Sequence, residues 1–370
     1  MKKTSEKFQN VFVVWLIATV CCFLWGSAFP IIKIGYNLFN IDSSDTASII
    51  MFAGIRFILA GVLTIIIFSF ANKKIVKPKK TSLGKVCVLA MFQTILQYLF
   101  FYIGLAHTTG VKSSIIDGTS TFFAILISVF IFKQEKFTFA KIIGSLFGFS
   151  GVVLAGLSGN RGGFSFQIGD VLLLISALSY ACSSVFMKRY SNDDNPAVLS
   201  GYQFVLGGAV MTVVGLLMGG KVSTNEIKGV LVLLYLGFIS AIAYSLWGVL
   251  LKYNDVSRVT VCGSMTPIFG FTLSYILLGE DNGKMLYKLV GLLCVVGGMI
   301  IVNLKFNKNK KEKSLKITAI FLNVISIFDI LEQLICRRFR CICVRYDLLP
   351  IQILHRGFAV ALAFLPINLC

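Results

Sequence analysis

The chain has 370 residues, of which 56% are hydrophobic and only 14% charged, whereas a soluble domain carries about 25% charged residues. That deficit excludes an ordinary water-soluble globule. The formal net charge of +19 would suit a nucleic-acid binder, but the basic residues stand in short gaps between apolar runs, and that placement excludes nucleic acid as a partner.

A helix crossing roughly 30 Å of hydrocarbon needs about 20 mostly apolar residues. Ten such runs occur in chain order, at 11–32, 46–70, 84–105, 112–132, 139–157, 168–187, 197–218, 229–251, 259–278 and 285–304. They are continuous, unlike the alternating segments of a membrane β-barrel, so the fold class expected is an all-α integral membrane protein with ten transmembrane helices. The first run follows Lys2, Lys3 and Lys7, as a signal peptide would. With no convincing cleavage site and nine further spans, it reads as a retained first helix behind a cytoplasmic N-terminus, residues 1–10.

The second run contains Arg56, ten residues in, which is about 15 Å deep at a rise of 1.5 Å per residue. A charge at the bilayer centre costs roughly 2.5–3.5 kcal/mol on insertion, so Arg56 must face a cavity or a partner. Its guanidinium can hold a solute carboxylate bidentately or tie neighbouring helices together, and the sequence leaves both open. In the third run Gln93, Thr94, Gln97 and Tyr98 share one face by helical spacing. Such a face turns away from lipid, towards a cavity or another helix. The fourth run places Asp117 a turn or so past Lys112 and then Thr119, Ser120 and Thr121. Asp117 suits a proton or a cationic group, or else a solvated vestibule. The fifth run is rich in small residues (Gly144, Gly148, Gly151, Gly156), which favours close helix packing and reads as scaffold or dimer contact.

The remaining five runs repeat the first five. Trp25–Lys33 matches Tyr180–Lys188, and the segment around Arg56 matches that around Leu206. Tyr98–Lys112 matches Tyr244–Arg258, Thr121 and Glu135 match Thr266 and Glu280, and Gly144 and Gly151 match Gly291 and Gly298. Five spans is an odd number, so the two five-helix repeats, 11–157 and 168–304, must have inverted topology, with a solute site expected at their interface near the midplane. The gaps on one side carry 22 Lys and Arg against about seven on the other. The positive-inside rule therefore puts the N-terminus and the end of the tenth run in the cytoplasm.

The Trp25-Gly-Ser-Ala-Phe-Pro stretch, Arg56, the Thr-x13-Glu endings of the fourth and ninth runs and the Gly-rich fifth and tenth runs resemble the EamA branch of the drug/metabolite transporter superfamily. The resemblance covers about residues 13–304. It implies a secondary transporter moving a small metabolite, an amino acid or a drug by alternating access, outward, across the plasma membrane of a bacterium. The residues proposed to meet the solute are Arg56, Gln93, Gln97, Tyr98, Asp117, Thr121, Tyr244, Trp247 and Thr266. The partners are a small-molecule solute and the lipid bilayer, and a coupling ion such as a proton and a homodimer are both compatible with this reading. The alternative is a membrane-embedded enzyme or lipid-handling protein. No catalytic motif supports it: with only two histidines, His107 and His355, neither a triad nor a metal set can be assembled, and no cofactor is expected. No P-loop offers ATP hydrolysis. Residues 305–370 form a basic segment and an atypical tail that matches neither half. Its Cys336, Cys341 and Cys343 lack a fourth ligand at a standard zinc spacing. Removal of 317–370 is expected to leave folding and transport largely intact.

Overall fold

The long apolar runs form helices in the computed structural model, which describes residues 8–133, 138–156, 167–256, 259, 262–263, 265–279 and 285–302. All of these belong to one compact unit. The expectations placed on Arg258, Glu135, Glu280 and the 305–370 tail lie outside the described residues. Seven helices are long and apolar enough to cross a membrane, and three shorter apolar helices accompany them. Among the described residues there is no strand.

The helices are α1 (Val11–Leu38), α2 (Thr46–Ala71), α3 (Lys80–Ala106), α4 (Gly110–Ile131), α5 (Phe139–Gly156), α6 (Ile168–Tyr190), α7 (Pro196–Leu217), α8 (Ile227–Tyr253), α9 (Met265–Leu278) and α10 (Met285–Val302). Their starts carry the side chains that a helix needs for its orphan N–H groups. Asn10 accepts from the N–H groups of Phe12 and Val13, Asp45 from Ser48 and Thr109 from Lys112. Asn195 caps α7 just before Pro196, a first-turn proline whose missing N–H leaves no orphan. Gln167 and Asp170 form a reciprocal capping box on α6.

Packing is pairwise and reciprocal. α2 lies along α7 and α5 along α10, while α1 packs on α8 and α9, and α6 packs on α3 and α4. α8 also touches α2, as α3 touches α7, and α9 meets α4. The α2–α7 crossing depends on glycine: a Cβ on Gly54 would stand 2.8 Å from the Gly208 carbonyl oxygen, and one on Gly208 equally close to that of Gly54. The lipid-side surface is apolar, with Leu146, Val153, Val213, Leu217 and Leu293 exposed.

Two of the helices are irregular in a way that positions side chains. α3 widens into a π-helical stretch at Ala90–Leu96, and α4 is divided at Gly118 and ends in a second π stretch at Ile127–Ile131. π turns are rare and concentrate at functional sites. The extra residue per turn rotates everything beyond it, so the single polar face expected on α3 is split. Gln93 and Thr94 turn to α7, where Thr94 Oγ1–H donates to Gln203 Oε1 and Gln203 Nε2–H donates to Gln93 Oε1 at 3.3 Å. Gln97 and Tyr98 turn instead to α8.

Candidate functional site

A cavity of about 60 Å³ is lined from α1, α2, α3, α4, α6, α8 and α9. Every one of the nine residues singled out from the sequence lines it except Gln93: Arg56, Gln97, Tyr98, Asp117, Thr121, Tyr244, Trp247 and Thr266 are all in its wall. Gln93 is buried in the α3–α7 contact instead, for the geometric reason just given. Trp25, Phe29, Phe101 and Tyr180 also line the cavity and were not singled out. The signal that could have found two of them was present, because Trp25 and Tyr180 are matched positions of the repeat.

Arg56 is 1% exposed. Its Nε–H donates to the Leu236 carbonyl at 3.1 Å, Nη2–H to Ser240 Oγ at 2.8 Å, and Nη1–H to the Tyr102 hydroxyl. The guanidinium also stands over the rings of Phe57 and Tyr98, at 4.9 and 5.7 Å from their centroids, close enough for cation–π attraction. Bonds to α3 and α8 thus fix the cation at the cavity wall, and no carboxylate among the described residues pairs with it. The environment differs from that of Leu206, the position matched to Arg56 by sequence, which is 39% exposed. An apolar residue there says nothing about tolerance at Arg56.

Asp117 closes the first segment of α4. Its carboxylate lines the cavity with no hydrogen-bond or ion-pair partner among the described residues. Asp117 thus stands in the cavity wall. Three further polar atoms of lining residues are buried without a partner: the indole N–H groups of Trp25 and Trp247, and Gln97 Oε1. A buried polar group left unmet is costly, so donors and acceptors of this kind around one cavity suit a polar solute.

The aromatic part of the wall is continuous. The Trp25 ring contacts Tyr180, Tyr244 and Trp247 edge-on, with centroids 6.3, 5.0 and 4.9 Å apart. The Tyr98 and Tyr244 hydroxyls hydrogen-bond each other, and Gln97 Nε2–H donates to the Tyr244 oxygen at 3.2 Å. Trp25 with Tyr180, Tyr98 with Tyr244 and Thr121 with Thr266 are matched pairs of the sequence repeat, and all six residues line the cavity. Among the described residues no cluster could hold a metal ion.

Comparison with known proteins identifies the family. Residues 13–157 and 167–304 match the EamA-like transporter family. A probable amino-acid metabolite efflux pump of Escherichia coli is 27% identical over 305 residues, covering 79% of this chain and 93% of the relative. Its Salmonella typhimurium counterpart is 26% identical over 300 residues, covering 77% and 93%. A transporter of Acidianus ambivalens is 32% identical over 217 residues, 58% of this chain and 79% of the relative. One solved crystal structure shares the fold, with a TM-score of 0.59 at 18% identity over 79% of this chain and 96% of the other. The enzyme alternative falls away, and the partners that remain are a small-molecule solute and membrane lipid. The chain belongs to the EamA-like transporter family and is a multi-pass membrane protein.

Proposed function

We propose that the chain is a secondary transporter that exports a small zwitterionic metabolite, of the amino-acid class, across the plasma membrane by alternating access. One observation carries this reading: a buried guanidinium without a carboxylate and a half-buried carboxylate without a hydrogen-bond or ion-pair partner stand in the wall of the same cavity. Arg56 and the indole N–H of Trp247 suit the solute's carboxylate. Asp117 and Gln97 Oε1 suit its ammonium, and the Trp25–Tyr180–Tyr244 rings suit an apolar side chain. The relatives named as amino-acid metabolite efflux pumps support both the solute class and the outward direction. Asp117 is the one carboxylate among the described residues of the wall, so a coupling proton would compete with the ammonium for it.

Alternating access rests on ten spans in two inverted halves, 11–157 and 168–304. The reciprocal packing supports that arrangement. Exchanging the first five helices for the last five turns the α1–α9 contact into α6–α4, and α1–α8 into α6–α3, and each partner contact is present. At the α2–α7 crossing the Gly54–Thr212 and Gly208–Ile58 contacts are mates, as are Gly61–Gly201 and Gly215–Ala47. This register pairs Arg56 with Val210, four residues beyond the Leu206 suggested by sequence. Contact between Tyr98 and Tyr244 in the cavity wall supports a site at the repeat interface, where such sites occur.

Counterflow in proteoliposomes tests the function. Vesicles loaded with an unlabelled amino acid should accumulate the labelled one, and an analogue lacking either the carboxylate or the amine should compete poorly. Equal competition by both analogues would overturn the zwitterion reading.

A further inference from the structure

We infer that the Lys112–Asp170 ion pair is a latch that must open in every transport cycle. The inference rests on the alternating-access reading and adds to it the ion pair that ties the segment ending at Asp117 to the start of α6. Lys112 Nζ lies 2.6 Å from Asp170 Oδ2, and the two side chains are 9% and 0% exposed. They join the first turn of α4 to the first turn of α6, at the end of the bundle away from the lysine-rich segment 73–80. Asp170 is held from below as well: Thr108 Oγ1–H donates to its Oδ1 at 3.2 Å, and the Gln167 N–H donates to its Oδ2 at 2.8 Å.

The two sides of the latch differ in rigidity. Asp170, Gln167 and Thr108 belong to a platform made by the end of α3 and the start of α6. There the backbones touch: a Cβ on Gly104 would stand 2.8 Å from the Gly169 carbonyl oxygen, and one on Gly169 would stand 2.9 Å from that of Gly104. Lys112 belongs to a short segment, Gly110–Asp117, that is separated from the rest of α4 at Gly118. The last residue of that segment is Asp117, which lines the cavity. Movement of the segment off the platform therefore shifts the carboxylate proposed to meet the solute.

The chemistry of the pair suits a latch better than a permanent tie. A buried ion pair is strong only while dry, and its attraction roughly balances the cost of taking both ions out of water. When water enters, both ions are hydrated together, so opening is cheap. An apolar pair of similar volume would hold the two helices at least as firmly but would resist wetting. Charge at this buried contact is thus useful where the contact must be broken and remade.

The test replaces the pair with one that cannot be wetted, Lys112→Met with Asp170→Leu. The expected result is a folded protein, its Tm lowered by the cap that α6 loses with Asp170, that is still stabilised by an added amino acid but has uptake reduced tenfold or more. Uptake at the native rate by this folded variant would overturn the latch. A second arm covers failure to fold: Lys112→Cys with Asp170→Cys, bridged by a reducible bifunctional thiol reagent and compared with reagent-treated native protein. Uptake should fall on bridging and recover on reduction, whereas undiminished uptake with the bridge in place would overturn the inference. Absence of uptake by the native protein would instead remove the transport reading, so the two failures are distinguishable.

Discussion

The two walls of the cavity are built from different chemistry. The wall from α2, α3 and α4 carries both of its charges, Arg56 and Asp117, together with the Gln97 amide. The wall from α6, α8 and α9 contributes Tyr180, Tyr244, Trp247 and Thr266, all neutral and mostly aromatic. Regularity differs in parallel. α3 and α4 are interrupted by π stretches and by the break at Gly118, whereas α8 runs unbroken for 27 residues. A straight helix gives a fixed aromatic surface, and an interrupted one can reposition its polar groups. On the proposed function, the difference would orient a solute with its charged end on the irregular wall and its apolar part against the aromatic one.

The largest effect is expected from removing the charge on which this contrast depends. Arg56→Leu leaves the Leu236 carbonyl and the Tyr102 and Ser240 hydroxyls without their donor. At roughly 1–3 kcal/mol for each unmet buried group, the amount of protein in the membrane should fall sharply. Arg56→Lys keeps the charge but loses the planar fork. Hydrogen bonds to charged groups are worth about 1.5–3 kcal/mol, which corresponds to a loss of uptake of roughly 10–100-fold at near-normal abundance. Uptake per unit of protein is the measurement, and native uptake by Arg56→Lys would reduce Arg56 to a tie between helices.

Asp117→Asn sharpens the contrast by removing the other charge while keeping shape. Uptake of an amino acid should fall about tenfold, one charge-assisted bond being worth at least 1.4 kcal/mol. Competition by the deaminated carboxylic acid should change little. A uniform loss for both compounds would assign Asp117 to the scaffold.

Much of the charged wall was legible in the sequence because a charge inside an apolar run has few explanations. Arg56 and Asp117 stood out for that reason, and Tyr98 with Tyr244 through the repeat. The irregularities were not legible. Nothing in Ala90–Leu96 announces a π stretch, since its residues suit an α-helix equally well, so Gln93 was assigned to the face it would have held on a regular helix. The sequence matches Arg56 with Leu206, whereas the proposed repeat register pairs it with Val210, because glycines and apolar residues align almost equally well at several offsets; the Gly54–Gly208 backbone contact favours the second. Trp25 and Tyr180 were overlooked as cavity-lining groups because an aromatic residue in a membrane span is usually packing.

A smaller effect is expected where the two halves only touch. Gly54→Ala places a methyl 2.8 Å from the Gly208 carbonyl oxygen and closer still to Thr212, and overpacking of this kind costs about 1–3 kcal/mol. Gly84→Ala meets nothing within 4 Å and should be neutral or stabilising by up to about 1 kcal/mol, the helix preference of alanine over glycine. Thermal unfolding in detergent measures both. Equal Tm values for the two variants would mean that the α2–α7 contact does not set the stability of the bundle.

The smallest effect concerns the exposed counterpart of the buried latch. Lys85, at the start of α3, pairs with Asp193 in the turn between α6 and α7, and Lys79 Nζ–H donates to the Asp193 carbonyl. The Lys85 hydrogen bond and charge hold the Asp193 carboxyl below the usual carboxylate range. A depressed pKa in the folded protein means stability that is fully present above the unfolded carboxylate value, near pH 4, and lost as pH falls through the folded one. The side chains are 26% and 58% exposed, so water and salt screen the pair. Asp193→Asn should lower Tm slightly at pH 7 and low salt. The difference from the native protein should shrink in high salt and vanish once the pH is below the native carboxyl's own pKa. A large loss at pH 7 that persists in high salt would show that the turn is held by more than this ion pair. The contrast between a wet, weak contact and a dry, switchable one would then need another basis.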